Sequence, residues 1–290
     1  MTTPSVAWAA HASTALFVLL WGSGAIFTKW GLDHAPAFAF LLLRFGLALA
    51  VLMAIGLYRR RWLPVPGTRL RVAGTGLLLI GAYSICYFLA MEQGITPGVL
   101  ATLLGIQPIL TLMLLERRFA PMRMAGLCVA LMGLVLVVYQ SVVLVRFSLA
   151  GVGFALGALG CMTVGAIMQK RLRQSPAEVL PLQYVASLLL CLPFAAFQPV
   201  TFEPSWEFLV PLLWLALVIS VVAQLLLYRL IQAGNLVNVT SLFYLVPAAT
   251  AVMDYLFLGN ALPMLSLVGM ALILLGLALV FRQPVTASRQ

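Results

Sequence analysis

The chain has 290 residues, of which 63% are hydrophobic and only 8% charged. A soluble domain carries about 25% charged residues, because a solvated skin has to cover its core; composition therefore excludes a water-soluble globule and makes lipid the expected solvent. The formal net charge of +10 does not indicate nucleic acid, since the basic residues fall in short clusters between apolar runs and no basic face is interleaved with stacking aromatics.

A membrane-spanning helix needs roughly 20 mostly apolar residues. By that rule the sequence predicts ten, over 12–31, 36–57, 72–93, 97–115, 121–140, 149–170, 178–197, 207–231, 236–258 and 261–281. The first ten residues hold no Lys or Arg and the run after them is long, so a retained first helix is expected rather than a cleaved signal. Predicted helix 1 carries Trp21 and Ser23, with Lys29 near its end, and predicted helix 2 carries Arg44 about eight residues from its start. Tyr83 and Tyr87 on predicted helix 3 stand four residues apart and share one face, with Glu92 near the helix end. Thr102 and a mid-helix proline, Pro108, follow on helix 4, and Gly126 and Gly133 on helix 5.

On helix 6, Gly153, Gly157, Cys161 and Gly165 form a small-residue stripe of the kind that lets helices approach closely, and Thr163 lies among them. Trp206 and Trp214, near the start of helix 8, are expected in an interfacial aromatic belt. Gln224 and Tyr228 then repeat the four-residue spacing seen on helix 3. Helix 9 holds Ser241, Tyr244, a mid-helix Pro247 and Asp254, and helix 10 holds Gly269 and Gly276. Turn residues such as Asp33 to Pro36, Pro64 to Gly67 and Pro199 to Pro204 punctuate the connections. The four cysteines, Cys86, Cys128, Cys161 and Cys191, all fall in apolar runs without metal-ligand spacing and are expected to be packing residues.

Charge sets an expected orientation. The clusters Arg59, Arg60, Arg61, Arg69 and Arg71, then Arg117, Arg118 and Arg123, then Lys170, Arg171 and Arg173 all lie at connections that face the cytoplasm if the N-terminus does. Both termini are accordingly expected to be cytoplasmic. The two halves, 1–145 and 146–290, also resemble each other. Gly24-Ala25-Ile26 before Lys29 matches Gly165-Ala166-Ile167 before Lys170. Gln93 matches Gln232, Pro108 matches Pro247, and Gly126 and Gly133 match Gly269 and Gly276, all in chain order. Two consecutive repeats of five helices, an odd number, enter the membrane from opposite sides. Inverted repeats of that kind characterise secondary transporters, whose substrate site lies near the midplane between them.

Several stretches resemble the EamA-type members of the drug/metabolite transporter superfamily: Leu20-Trp21-Gly22-Ser23, Arg44-Phe45, Ala90-Met91-Glu92-Gln93-Gly94 followed by the Pro108 helix, Glu116 at a helix end, and the Gly126…Gly133 helix. The resemblance implies an all-α integral membrane protein of ten helices in two inverted five-helix repeats, in a bacterial inner membrane, exporting amino acids, other metabolites or drugs. Within that family the chain looks most like amino-acid exporters of the YddG type.

Ionisable groups inside a membrane are functional candidates by default. Arg44 is either a counter-charge for a substrate carboxylate or a structural arginine paired with helix-end carbonyls or with Glu92. Asp254 is the candidate for proton coupling. Snorkelling accounts for Lys29, and Lys170, Arg171 and Arg229 read as topology anchors. The uncharged candidates for contact with a solute are Trp21, Ser23, Tyr83, Tyr87, Thr102, Thr163, Gln224, Tyr228, Ser241 and Tyr244, with Pro108 and Pro247 as flexing points. No cofactor or metal is expected, and the sequence has neither a phosphate-binding G-x-x-x-x-G-K-[ST] loop nor an H-E-x-x-H zinc site. The expected partners are a small solute and the bilayer, not nucleic acid, for a protein acting as a monomer.

The leading expectation is thus a carrier, not an enzyme, that exports neutral or aromatic amino acids by alternating access. The alternative in the same fold is export of drugs or other metabolites. A lipid-processing enzyme would need clustered acids or histidines, whereas the seven carboxylates are scattered. A channel or scaffold would not call for an internal repeat.

Overall fold

A computed structural model describes residues 4–116, 120–139, 148–195, 201–249, 252 and 264–282. In chain order its helices are α1 (Pro4–Leu32), α2 (Ala37–Tyr58), α3 (Arg69–Glu92), α4 (Pro97–Leu115), α5 (Pro121–Val137), α6 (Leu149–Arg171), α7 (Pro176–Ala195), α8 (Trp206–Ala233), α9 (Leu236–Ala249) and α10 (Met264–Arg282). Among the described residues, eight of these are long and apolar enough to cross a membrane, while α5 and α9 are shorter apolar helices. The predicted order of elements is retained. The differences lie at the ends: α1 begins before residue 12, α3 begins at Arg69 rather than 72, and the part of the predicted ninth helix that holds Asp254 lies outside the described residues.

Helix starts follow local chemistry. Thr96, Ser148, Ser205 and Asn235 each accept a bond from a first-turn backbone N–H, and Pro97 and Pro121 occupy first-turn positions where no donor is lost. Four interruptions break the regular backbone. α3 and α8 each pass through a π-helical stretch, Leu77–Ala82 and Trp214–Ala223. α4 breaks at Gly105 and Ile106, just before Pro108, and α9 tightens to a 3-10 turn over Leu242–Tyr244, just before Pro247. A proline carries no N–H and crowds the carbonyl four residues back, so both breaks fall where Pro108 and Pro247 would have disrupted an α-helix.

The helices pack through glycines. α5 runs along α10 with Gly126 against Gly276 and Gly133 against Gly269, so the two helices are antiparallel. A Cβ placed on Gly133 would stand 2.5 Å from the Gly269 carbonyl oxygen, and one on Gly269 would stand 2.6 Å from that of Gly133. α3 packs on α6, where a Cβ on Gly165 would meet the Leu79 backbone nitrogen at 2.9 Å, and on α7, where one on Gly76 would meet the Gln183 Cα at 2.5 Å. Gly153 of the predicted stripe has open space instead, so only part of that stripe is a packing face. The main core joins Phe17, Phe40, Phe45, Phe88, Tyr184 and Phe208.

Gly133→Leu is expected to destabilise the protein by about 1–3 kcal/mol or more through overpacking, read as a lower thermal midpoint in detergent. Gly153→Ala is expected to leave that midpoint unchanged or slightly raised, and equal effects at the two positions would contradict the packing described.

Candidate functional site

A cavity of about 110 Å³ lies among α1, α2, α3, α4, α6, α7, α8 and α9. The four interruptions surround it: Ile80, Ile219, Gly105 and Phe243 all belong to its wall, one from each irregular stretch. Its lining runs toward Pro97, in the first turn of α4. Among the described lining residues, Arg44 is the one charged side chain. Its Nε donates to Ser220 Oγ at 2.9 Å, and its guanidinium lies 5.9 Å from the ring centroids of both Phe45 and Phe88. Tyr184 donates from its hydroxyl to the Ser220 backbone oxygen at 2.7 Å, holding the π-helical stretch of α8 against α7 beside the arginine. The two terminal guanidinium nitrogens have no hydrogen-bond partner among the described residues. Tyr83 and Tyr87 stand with ring centroids 5.7 Å apart in the wall, and Trp21 meets Phe243 edge to face at 5.5 Å.

The structure divides the residues singled out from sequence. Trp21, Tyr83, Tyr87, Gln224, Arg44 and Pro247 line the cavity. The hydroxyls of Thr102, Thr163 and Ser241 bond back to the carbonyls of Gly98, Leu159 and Val237 on their own helices. Tyr228 is fully buried and donates to Gln183 Oε1 at 2.7 Å, and Tyr244 is buried in a second core with α5 and α10. Ser23 accepts from Trp214 Nε1 at 2.8 Å and borders a separate, almost wholly apolar space of about 1310 Å³ between α1 and α8–α10. Pro108 is buried outside the cavity wall.

Three sequence readings need correction. Arg44 makes no ion pair among the described residues, because Glu92 instead caps α2, accepting from Ala37 N at 2.6 Å. Trp214 packs between helices, stacked on Phe27 at 5.0 Å, whereas Trp206 is exposed as a belt residue would be. Lys170 does more than anchor topology, as described below. Residues that sequence reasoning missed also reach the cavity: Thr28, Ser84, Gln107 and Tyr184. Gln107 is 2% exposed and its Nε2 has no partner. Standing directly before Pro108 was its only sequence signal.

The two ends of the bundle differ. At the arginine-rich end, Lys170 Nζ donates to the carbonyls of Ile231 (2.6 Å), Gln232 (3.0 Å) and Gly234 (2.6 Å), capping the C-terminus of α8. Gln232 Nε2 donates to the Gln174 carbonyl at 2.6 Å, and the Gln174 amide bonds Val65 N and Thr68 Oγ1 at 2.9 Å each. Arg123, 3% exposed, pairs with Glu116 and donates to Asn235 Oδ1 (2.8 Å) and Asn238 Oδ1 (2.9 Å). Every one of these links joins separate helices or their connections. At the opposite end, the repeat-matched Lys29 pairs among the described residues with Asp33 alone, one turn away at 2.6 Å, and Gln93 is exposed. No group of three or more His, Cys, Asp or Glu among the described residues is placed to hold a metal.

The model of the EamA-like transporter family matches this sequence twice, over residues 8–139 and 149–282. An uncharacterized transporter of Archaeoglobus fulgidus is 26% identical over 268 residues, which cover 86% of this chain and 89% of that one. A protein of known crystal structure, 22% identical, superposes with a TM-score of 0.74 over 94% of this chain and 96% of its own; that likeness concerns the fold alone.

Ser220→Ala removes the one acceptor of the Arg44 guanidinium among the described residues. It is expected to destabilise the fold by about 1–3 kcal/mol, measured by thermal unfolding in detergent, while an unchanged midpoint would show that the arginine does not depend on that bond.

Proposed function

This chain belongs to the EamA-like transporter family and is a multi-pass membrane transporter, and from that premise we propose that it is a secondary carrier that exports small metabolites, foremost neutral or aromatic amino acids, by alternating access to the central cavity. The observation that carries this reading is the cavity itself: a space walled mostly by apolar and aromatic side chains, in which Arg44 is the one charged group among the described lining residues and has two guanidinium nitrogens without a partner among them.

Ten membrane helices in two inverted halves, 1–145 and 146–290, complete the proposal. The two family matches fall one in each half. The contacts are also reciprocal: exchanging α1–α5 for α6–α10 turns the α3–α6 contact into α8–α1 and the α3–α7 contact into α8–α2. The same exchange turns Gly126 against Gly276 into Gly269 against Gly133. Because α5 and α10 are antiparallel, the relating axis lies across them, as it does between inverted repeats. The proposed setting is a bacterial inner membrane with both termini and the arginine-rich end on the cytoplasmic side, an orientation that the positive-inside rule supports.

In this arrangement the Lys170 and Gln232 contacts close the cytoplasmic side, while the matched Lys29 and Gln93 leave the outer side unlatched. Alternating access then exchanges the two. Lys29 would take the carbonyls that end α3, and Lys170 would release those that end α8. Neither step requires ATP, and the energy comes from solute or ion gradients.

The carrier reading is tested by reconstitution in liposomes and uptake of labelled amino acids with and without a pH gradient. Uptake above empty liposomes is expected, reduced about tenfold by Tyr83→Ala or Tyr87→Ala, the range of a lost aromatic contact; folded protein that moves no amino acid, drug or other metabolite would sink the proposal. The latch is tested in a cysteine-free background with Ala25→Cys in the cavity wall. Lys170→Gln is expected to slow labelling of that cysteine from outside and Lys29→Gln to leave it as fast or faster. Identical labelling in both variants would remove the latch from the mechanism.

A further inference from the structure

The cavity is unbalanced in a way that bears on its solute. Its described wall carries donors in excess: two guanidinium nitrogens of Arg44 without a partner among the described residues, the hydroxyls of Tyr83 and Tyr87, and Gln107, whose buried Nε2 is orphaned. It offers no carboxylate. A cation withdrawn from water without a counter-charge is costly, and so is a buried donor without an acceptor. Ser220 and the faces of Phe45 and Phe88 offset only part of that cost, since they engage one nitrogen and the edges of the charge. Both deficits are removed by one group, a planar anion with several acceptor oxygens, which is the match for a guanidinium fork.

We infer that Arg44 and Gln107 form a carboxylate subsite, and that the solute is recognised through a single carboxylate while its apolar body packs among the aromatic rings. This rests on the carrier reading above and narrows it. The carboxylate of an amino acid is what the site requires, whereas the ammonium meets no carboxylate among the described lining residues, only aromatic faces such as those of Tyr83 and Tyr87 and neutral acceptors such as Thr28, Ser84 and Gln224, a weaker environment for a cation. A volume of about 110 Å³ is of the order of the engineered cavity that admits benzene, so a single ring or a short aliphatic chain is the body that fits.

The test uses the full-length protein in nanodiscs and direct calorimetric titration with four ligands of one shape: phenylalanine, 3-phenylpropionate, 2-phenylethylamine and phenylalanine amide. The two carboxylates are expected to bind about ten- to a hundredfold more tightly than the amine and the amide, the range of one charged hydrogen-bonded contact. Arg44→Gln is expected to erase that difference, Arg44→Lys to restore part of it, and Gln107→Met to weaken the carboxylates alone. The inference is overturned if the amine or amide binds as tightly as the carboxylates, if none of the four binds to folded protein, or if Arg44→Gln keeps the preference. Should Arg44→Gln not fold, the wild-type ligand series and Gln107→Met decide the matter. Uptake into liposomes separates the two levels. Transport without a preference for carboxylates overturns the subsite alone, whereas carboxylate-selective binding without transport overturns the carrier reading and leaves the subsite standing.

Discussion

Hydrocarbon offers no hydrogen bonds, so a chain dissolved in it keeps its backbone helical and tolerates irregular backbone only where protein or a cavity takes up the freed groups. The arrangement of this molecule follows from that constraint. Its departures within α3, α4, α8 and α9 are not scattered: each contributes a residue to the wall of the central cavity. The π-helical stretch of α3 ends where Tyr83 begins and that of α8 ends where Gln224 begins, so the extra residue in each helix sets the angle at which those side chains enter the wall. The proline breaks act similarly on Gly105 and Phe243.

Close glycine contacts supply the rigid counterpart. The α5–α10 pair brings backbone against backbone at Gly126, Gly133, Gly269 and Gly276, and contacts of that kind leave little room to slide. The irregular helices face the cavity and the glycine-locked pair lies apart from it. That division suits a carrier in which cavity-lining helices change angle against a fixed support. Lys170 and Gln232 tie helix ends at one end of the bundle, and their repeat partners Lys29 and Gln93 make no comparable tie among the described residues at the other.

Much of the fold was legible because the signals are strong at the scale of a helix. Twenty-residue apolar runs, capping residues such as Ser148 and Asn235, and Gly–Pro punctuation place elements in order with errors of a few residues. The cavity was legible only in part. Spacing shows that Tyr83 and Tyr87 share a face, but it cannot show which face looks inward, and Tyr228 has the same spacing from Gln224 while lying in the core. A hydroxyl bonded to the carbonyl a turn back, as at Thr102, Thr163 and Ser241, looks the same in sequence as one that faces a solute. Lys170 shows a different limit, since snorkelling and helix-end capping call for the same residue near the same boundary. The π-helical stretches carry no residue signature at all, so the tilt they give to α3 and α8 enters only with the structure.

The central claim is that one solute site is exposed alternately to the two sides of a membrane. The most direct measurement is counterflow. Liposomes containing the protein are loaded with unlabelled phenylalanine or 3-phenylpropionate, and entry of a trace of the same labelled compound is followed. A carrier is expected to give a transient accumulation of label above its outside concentration, saturable and driven by the internal solute. Entry that is linear in concentration and indifferent to what lies inside would contradict alternating access and describe a pore instead.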